Sequence, residues 1–513
     1  MDIRSLLSDI GLASATGEAA VVVPTASFAD MAHQCVAAGA PLVFMYATDE
    51  RAARQTYGVH AVFSVAGAGF LTLRCDVSAD DRTYPSLTRT IMAAHWYERL
   101  MHDQFGIVAQ GHPDWRRLIH HENIPEGTYP LRKDFAVDTK LPHAQVPYPM
   151  HAVEGTGIYE IPVGPIHAGI IEPGHFRFNV RGERILSLEG KLFFTHKGIE
   201  KLVEGKLPAQ ALPFIERISG DMPVAHTLAF AEAVERACRT VVPKRARALR
   251  VVWSELERIT MHIFDIGNIA GNGTGFTFMA AQGFRMVEEL RRLHESLTGH
   301  RFLRGAITLG GAHDISAEAT MDILNSLKKT EKDLQAILDI AFASDGLMER
   351  FETTGVLSRE AAIDYGARGV AARASGVGID MRRDHPYAGY VDLDVLVATE
   401  SSGDVAARFK VRVREVMESL RIVRSCLEKL PEGEAQTAVV VREGEALGWA
   451  ESWRGAIIDW VRLDEGGRID RCAISDPSFM NWALFGEIGP GNIVPDFPLC
   501  NKSLNLSYSG TDL

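Results

Sequence analysis

The sequence predicts an α+β N-terminal domain followed by a mainly α-helical domain with a small β part. Three observations predict this: strand-like runs near the start, a stretch rich in proline and histidine, and long amphipathic helical patterns after it. A chain of 513 residues also suits two domains better than one. We place the domains at residues 1–135 and 156–513, with a Pro-rich linker at 136–155.

The first domain combines short β-rich runs with one amphipathic helix. Apolar runs and period-two alternation predict strands in three places: Ala19–Pro24, Pro41–Ala47 and His60–Cys75. Helical periodicity then predicts a helix over Pro85–Phe105, with four positions expected to be buried: Ile91, Ala94, Trp96 and Tyr97.

The second domain opens with two strand-like pieces, Gly157–Pro162 and His175–Val180. Apolar residues at helical spacing then predict five helices: Pro223–Arg239, one whose first turn contains Pro243, Phe284–Leu297, Ala317–Ala341 and Val405–Leu427. From Ala438 the pattern returns to strand-like alternation, so a small β part completes this domain.

Composition excludes several classes of protein. The net charge of −12 argues against nucleic-acid binding, which needs clustered Lys and Arg. No apolar run reaches the roughly 20 residues that a membrane helix needs, and Met1–Ser14 is a poor signal peptide. We therefore expect a cytoplasmic protein. The six cysteines form no CxxC pair and are expected to be small buried side chains.

Common enzyme motifs are incomplete. Gly271-Asn-Gly273-Thr-Gly275 lacks the GxGxxG spacing and follows a helix, so it does not predict a dinucleotide site. His120-His121-Glu122 lacks the second histidine of a zinc HExxH helix. Phosphate-loop and nucleophile-elbow patterns are also absent from the sequence.

Ordered motifs in the first domain resemble the C-type subunit of complex I and its hydrogenase counterparts. They are Tyr84-Pro-Ser-Leu87, His95-Trp-Tyr-Glu-Arg99, Asp103-Gln-Phe-Gly-Ile107, Gly111-His-Pro113 and Tyr129-Pro-Leu-Arg-Lys-Asp-Phe135. The resemblance implies a docking domain without catalytic residues. The alternative for the charged residues at 98–103 is an exposed helix face with an i, i+4 pair.

The second domain resembles the D-type subunit of complex I and the large subunit of group-four [NiFe] hydrogenases. The motifs that carry this are Gly164-Pro-Ile-His-Ala-Gly-Ile-Ile-Glu-Pro-Gly-His-Phe-Arg177, Thr195-His-Lys-Gly-Ile-Glu-Lys201, Glu257-Arg258 with His262, Arg373-Ala-Ser-Gly376 and Pro477-Ser-Phe-Met-Asn481. The whole chain is thus identified as a member of the complex I C–D fusion family, of the hydrogenase-4 component G type.

The resemblance also shows what is missing. Active [NiFe] hydrogenases carry two cysteine pairs, in patterns like E-R-x-C-G-x-C and D-P-C-x-x-C, because soft thiolates hold nickel and bridge it to iron. The corresponding four positions here are Ser219, Met222, Ser507 and Gly510. No nickel-iron centre is therefore expected. A substitute site built from Cys238 and Cys500 is the remaining alternative.

The D-type subunit of complex I, which lacks nickel, implies a second use of the same cavity. There a tyrosine helps to bind the quinone head group, but Gly220 stands at that position here. His167 matches the first histidine of the family's HPxxHG loop, whereas Ile171 replaces the second. We retain His167 and His175 as candidate contacts to a quinone or another polar ligand.

Three residues are the candidate catalytic groups. Glu172 aligns with a hydrogenase glutamate that relays protons, Arg454 with an arginine above the iron, and His226 follows the first lost cysteine pair. Together they could move protons or bind a polar head group. The alternative is a hydrogen-bonded core network inherited with the fold.

The resemblance implies a subunit of a membrane-associated, complex-I-related oxidoreductase complex. Its expected partners are a small iron-sulfur subunit, a ferredoxin-like subunit and antiporter-like membrane subunits. Its expected place is peripheral, on the cytoplasmic side of the inner membrane. Electrons would arrive through the partner's iron-sulfur cluster, with a quinone as the candidate acceptor and no metal bound by this chain. NAD binding is implied only as an attribute of the family. The alternatives are a non-catalytic scaffold and a [NiFe] hydrogenase with an unrecognised metal site.

Overall fold

The computed structural model describes residues 3–9, 20–167 and 171–513. Its first part contains a four-stranded sheet of order β1-β4-β3-β2, in which only β1 and β4 run parallel, and a small parallel pair, β5-β6. The elements of this part are α1 (Ile3–Asp9), β1 (Val21–Val22), α2 (Phe28–Ala37), β2 (Leu42–Glu50), α3 (Arg51–Arg54), β3 (Thr56–Val65), β4 (Gly69–Ser78), β5 (Thr83–Pro85), α4 (His95–Phe105) and β6 (Val108–Gln110).

Helix α4 is shorter than predicted. It begins at His95, so the expected start at Pro85 is wrong. The buried carboxylate of Glu98 accepts hydrogen bonds from the Ser86 hydroxyl, the Leu87 amide and the Thr88 hydroxyl, at 2.6, 2.7 and 2.7 Å. These bonds hold residues 86–88 in a non-helical loop after β5, so the helix begins only at His95.

The charged residues of α4 are buried, so their interpretation as an exposed i, i+4 pair is wrong. Asp103 accepts from the backbone amides of Leu118 and Ile119, both at 2.8 Å, and Arg99 donates to backbone carbonyls of the same loop. Arg99 and Asp103 thus fix the loop that follows β6. Residues 111–157, all of them described, contain neither helix nor strand. The domain boundaries at 135 and 155 stay predictions.

A three-stranded antiparallel sheet opens the second part, and helices dominate the rest of it. The elements are β7 (Ile158–Val163), β8 (His175–Arg181), β9 (Arg184–Lys191), α5 (Ile199–Val203), α6 (Pro208–Ile215), α7 (Pro223–Ala237), α8 (Lys244–Thr274), α9 (Thr277–Thr298), β10 (Ile307–Thr308), β11 (Gly311–Ala312), α10 (Ala317–Phe342), α11 (Asp345–Phe351), α12 (Arg359–Asp364), α13 (Gly369–Ala374), α14 (Met381–Asp384) and α15 (Val405–Glu428).

A second three-stranded antiparallel sheet and four short helices complete the chain. They are β12 (Gly444–Ser452), β13 (Gly455–Leu463), β14 (Ile469–Ser475), α16 (Pro477–Trp482), α17 (Phe485–Ile488), α18 (Phe497–Leu504) and α19 (Tyr508–Asp512). The predicted fold class is confirmed. No helix within the described ranges is long and apolar enough to cross a bilayer.

Helix α8 is the centre of the second part. Residues 249–263 are all buried, which is typical of a helix surrounded by other elements, here α7, α9, α15 and α18. One face of the β12–β14 sheet packs on α7, and the other contacts the first sheet, where Tyr46 stacks on Trp460 at 4.7 Å between ring centroids. The functional site lies where α7, α19 and this sheet meet.

Candidate functional site

The four positions that would hold a nickel-iron centre lie together. The hydroxyls of Ser219 and Ser507 are hydrogen-bonded to each other at 2.9 Å. Ser507 also accepts the backbone amide of Gly510 at 2.8 Å and so caps α19. Met222 is fully buried against Met261 and Trp453. Three of the positions are thus joined by hydrogen bonds, and the fourth is part of an apolar cluster.

This donor set does not fit a nickel-iron centre. Such a centre needs soft thiolates, and the four positions supply two neutral hydroxyls, one thioether and no side chain at Gly510. A Cβ at position 510 would lie 2.5 Å from Oδ2 of Asp476, so that position has no room for a cysteine without movement of Asp476. Within the described ranges, no three His, Cys, Asp or Glu residues are grouped so that they could hold a metal ion.

Cys238 and Cys500 do not form a substitute pair. Both are buried, and they belong to different hydrophobic clusters: Cys238 packs with α5–α7, whereas Cys500 packs with the main core beside Gly355. Burial raises the pKa of both thiols, to about 11 for Cys500, so neither is a reactive thiolate at neutral pH.

Arg454 is placed by the two-residue turn between β12 and β13 and reaches the site through Asp221. Its two terminal nitrogens bind the two carboxylate oxygens of Asp221 at 2.6 and 2.8 Å, and its guanidinium lies 3.8 Å from the ring centroid of Trp453. Asp221 also accepts from the Ser219 hydroxyl at 2.8 Å. Desolvation opposes ionisation of Asp221, but the charge of Arg454 and the hydrogen bonds from Arg454 and Ser219 together outweigh it, so the pKa of Asp221 lies below its ordinary value.

His226 reaches the opposite side of the same site. It lies in the first turn of α7, is fully buried, and its Nε2 is 3.0 Å from Oδ2 of Asp476. That carboxylate also lies against Gly510 and caps α16 through the amide of Ser478 at 2.7 Å. Nδ1 of His226 has no hydrogen-bond partner among the described residues.

Glu172 lies at the outer edge of the site, in the loop between β7 and β8. Its carboxylate accepts the backbone amide of Ser509 at 3.0 Å. Nζ of Lys197 donates to the carbonyl and to the hydroxyl of the same serine, both at 2.8 Å. Burial lowers the pKa of Lys197, while the charges of Asp512 and Glu172 partly offset this.

The two candidate ligand-binding histidines are engaged within the β7–β8 loop. Nε2 of His167 is 2.7 Å from the carbonyl of Gly174, and Nδ1 of His175 is 3.3 Å from the carbonyl of Gly164. Gly174 packs directly on Tyr508. The loop therefore borders the site, but these contacts tie both imidazoles to the loop backbone. Their role in ligand binding stays a prediction.

The structure thus connects Glu172, His226 and Arg454 through the segment around Ser507. Sequence reasoning missed Asp221, Asp476 and Lys197, which complete these contacts. Asp221 lies between Ser219 and Met222 of the first lost cysteine motif, and Lys197 lies in the motif Thr195–Lys201, so both belong to segments that carry the resemblance. Only the fold shows that Asp476 pairs with a histidine 250 positions away.

Comparisons with known proteins give the family. Family models match in three places: the 30 kDa subunit of respiratory-chain NADH dehydrogenase at residues 21–141, nickel-dependent hydrogenase at 197–266, and the 49 kDa subunit of the NADH dehydrogenase at 273–440. Formate hydrogenlyase subunit 5 of Escherichia coli K12 is 33% identical over 492 residues, which cover 92% of this chain and 85% of the relative. The chain belongs to this complex-I-related hydrogenase and dehydrogenase family, in which the C and D regions are fused.

Two further relatives show the breadth of the family. Hydrogenase-4 component G of the same organism is 32% identical, covering 92% of this chain and 83% of the relative. The fused C/D 2 subunit of NADH-quinone oxidoreductase from Aquifex aeolicus is 30% identical, with 85% of each chain covered. The predicted complex I-like and hydrogenase-4-like family of oxidoreductase subunits is therefore confirmed.

Proposed function

We propose that this chain is a subunit of a membrane-associated, complex-I-related oxidoreductase complex and that it works without a nickel-iron centre of its own. Electrons reach it through the iron-sulfur cluster of a small partner subunit. A ferredoxin-like subunit and antiporter-like membrane subunits complete the complex, which lies on the cytoplasmic side of the inner membrane. The observation that carries the proposal is a family match over nearly the whole chain together with the composition of the site. The four thiolate positions of the site are replaced, whereas Glu172, His226 and Arg454 are present.

The chemistry of the site supports proton transfer. Glu172 is at the edge, His226 with Asp476 is at the buried end, and Arg454 with Asp221 is on the third side. Carboxylates and imidazoles exchange protons near neutral pH, and a paired arginine keeps its charge and fixes its neighbours. We infer that these groups supply protons to a small-molecule acceptor, for which a quinone is the candidate, when electrons arrive.

The proposal is tested in the purified complex with Glu172→Gln and a matched control, Glu160→Gln. Glu160 lies on the same hairpin, on the exposed strand β7, in an ion pair with Arg177. We expect Glu172→Gln to slow reduction of a soluble quinone by roughly 10²-fold, the lower end of general acid–base effects. Assembly should be preserved, and Glu160→Gln should behave as the wild type.

Two results would contradict the proposal. Unchanged quinone reduction in an intact Glu172→Gln complex would favour the non-catalytic scaffold. Stoichiometric nickel in the purified complex, assigned to this chain, would revive the hydrogenase alternative. Metal analysis and the quinone assay can be made on the same preparation.

A further inference from the structure

Asp459, on β13, is a buried carboxyl group without a partner. Its side chain is fully buried, and neither oxygen has a hydrogen-bond partner among the described residues. An ionised carboxylate in such a place would cost several kcal/mol. Burial raises the pKa of Asp459 well above its ordinary value, and the negative charges of Glu200 and Asp476 raise it further.

The strand register shows which face Asp459 occupies. Val461 and Leu463 of β13, with Cys472 and Ile474 of β14, pack in one apolar cluster with α5, α6 and α7. Side chains alternate along a strand, so Asp459 points to the same face as Val461. Trp460, which lies between them, points the other way and stacks on Tyr46.

This face leads directly to the functional site. Asp459 lies opposite Ile474, whose backbone amide donates to the Glu200 carboxylate at 2.8 Å. Asp476 follows two residues after Ile474, just past the end of β14, and lies near enough for its negative charge to act on Asp459. Asp476 in turn holds His226. Asp459 is therefore a neighbour of the His226–Asp476 pair through Asp476.

The groups that face Asp459 decide which carboxyl keeps a proton. They are Glu200 from α5, Cys472 from β14 and Asp476 just after that strand. Asp476 has His226 as its partner, and Glu200 has Arg471 at 3.1 Å and the Ile474 amide. Asp459 has no counterpart within the described ranges, and neighbouring carboxyls do not all ionise together.

We propose that Asp459 carries a proton at neutral pH and supplies it to the His226–Asp476 pair after that pair has given a proton to the acceptor. Because neither oxygen of Asp459 has a hydrogen-bond partner among the described residues, the proton leaves the Asp459 carboxyl as an H⁺ through an intervening water. The pair regains the proton it lost, and Asp459 is reprotonated from the Glu200 side. This role rests on the proposed function of the site. The protonated state of Asp459 does not.

The first measurement is an infrared spectrum of the complex in H₂O and in D₂O, compared with Asp459→Asn. We expect the difference between the wild-type and Asp459→Asn spectra to show a carboxylic-acid carbonyl band that shifts on deuteration, apart from the bands of other protonated carboxyl groups such as Glu257. The matched control is Asp470→Asn on β14. The Asp470 carboxylate forms ion pairs with Arg462 and Lys133, which keep it ionised, so this substitution should leave the band intact. Asp459→Val, suited to an apolar strand position, is the second variant if the asparagine variant does not fold.

The second measurement is the rate of quinone reduction as a function of pH in the same complexes. We expect Asp459→Asn to slow it by roughly 10²-fold, with a larger solvent isotope effect and a shifted pH profile. Asp470→Asn should match the wild type. A wild-type-minus-Asp459→Asn difference spectrum without the band would overturn the proposal whatever the rates are. A band with unchanged rates in Asp459→Asn would overturn the supply role, and a wild type inactive with quinone would contradict only the proposed function.

Discussion

Two buried polar clusters lie in the second domain, and they differ in how their charges are paired. The first, the core ion cluster, joins α8, α13, α14, α15 and β12, and every member has an oppositely charged partner within 3.5 Å. Its members are Glu255, Arg258, Arg373, Asp380, Arg382, Glu415 and Glu451. Burial is the largest single cause and opposes charge on Arg373 and Glu415, but their charged neighbours and hydrogen bonds together outweigh it. The pKa of Arg373 lies above its ordinary value and that of Glu415 well below, so both groups are charged at neutral pH.

The second cluster is the functional site together with Asp459, and it includes a carboxyl group without a partner. Nδ1 of His226 and both oxygens of Asp459 have no hydrogen-bond partner within the described part of the chain. Nε of Arg258 and Nη2 of Arg373 in the core ion cluster also lack one, but both guanidinium groups are paired with carboxylates. A buried carboxyl group without a partner is costly, so the retention of Asp459 indicates a task other than stability. The comparison teaches that burial alone does not mark a site: the core ion cluster serves the fold, while the functional site can still exchange protons.

The largest expected effect comes from breaking the core ion cluster. Arg373 is fully buried between Glu415 and Glu451, at 2.7 and 2.8 Å. Arg373→Ala removes the ion-pair partner of Glu451 and leaves Glu415 with only His262 and Arg258, so it should lower the free energy of unfolding by about 3–5 kcal/mol. Urea unfolding of the full chain at pH 7 measures it.

The matched control is Arg285→Ala on α9. Arg285 pairs with Glu289 and Asp333 at the surface, where its side chain is 39% exposed. Solvent screens that pair, so the loss should be about 0–1 kcal/mol. Equal losses in the two variants would show that the core ion cluster has no special structural role.

The pH dependence of stability tests Glu257, a buried residue that interacts with Arg258 of the core ion cluster and with Asp221 of the functional site. Glu257, on α8, accepts the amides of Val224 and Ala225 at the start of α7. Burial raises its pKa from 4.5 to about 8, and the charge of Asp221 adds to this. The native state therefore binds a proton that the unfolded state has lost, so stability falls as the pH rises from 4.5 towards 8.

Glu257→Gln removes this dependence. Relative to the variant, the wild type should lose at most about 1.4 kcal/mol per pH unit across that window. Unfolding midpoints of both proteins from pH 5 to pH 8 measure the difference. Parallel curves would contradict a protonated Glu257 in the native state.

The sequence predicted the regular elements well because they follow from local periodicity. The long helices α7, α10 and α15 agree with expectation to within a few residues. The helix that starts late at His95 was mispredicted because its cause, the loop bound to Glu98, is a set of side-chain hydrogen bonds that periodicity does not report.

The site was predicted only through the resemblance. The four lost ligand positions and the three candidate groups could be predicted because they match positions in the motifs of the family that the chain resembles. Their partners Asp221 and Asp476 depend on contacts between α7, the β12–β13 turn and the end of β14. Asp459 was not found at all, since one acidic residue in an apolar strand has no sequence signal for the carboxyl groups that surround it.

The smallest effect concerns the space around two glycines of the site: Gly510, a lost ligand position, and Gly220, where the D-type subunit of complex I has its tyrosine. A Cβ on Gly510 would lie 2.5 Å from Oδ2 of Asp476 and 3.0 Å from the Ser507 hydroxyl, whereas a Cβ on Gly220 would meet no atom within 4 Å. Gly510→Ala should therefore lower the free energy of unfolding by about 1–3 kcal/mol through overpacking. Gly220→Ala should leave it unchanged or raise it by up to about 1 kcal/mol.

The same pair of variants separates the site from its surroundings. Gly510→Ala pushes against Asp476, so it should also weaken the hold on His226 and shift the pH profile of quinone reduction, whereas Gly220→Ala should not. Equal stabilities and equal profiles in the two variants would mean that Asp476 moves freely. In that case the His226–Asp476 pair would not be a fixed part of the site, and the contrast with the rigid core ion cluster would rest on Asp459 alone.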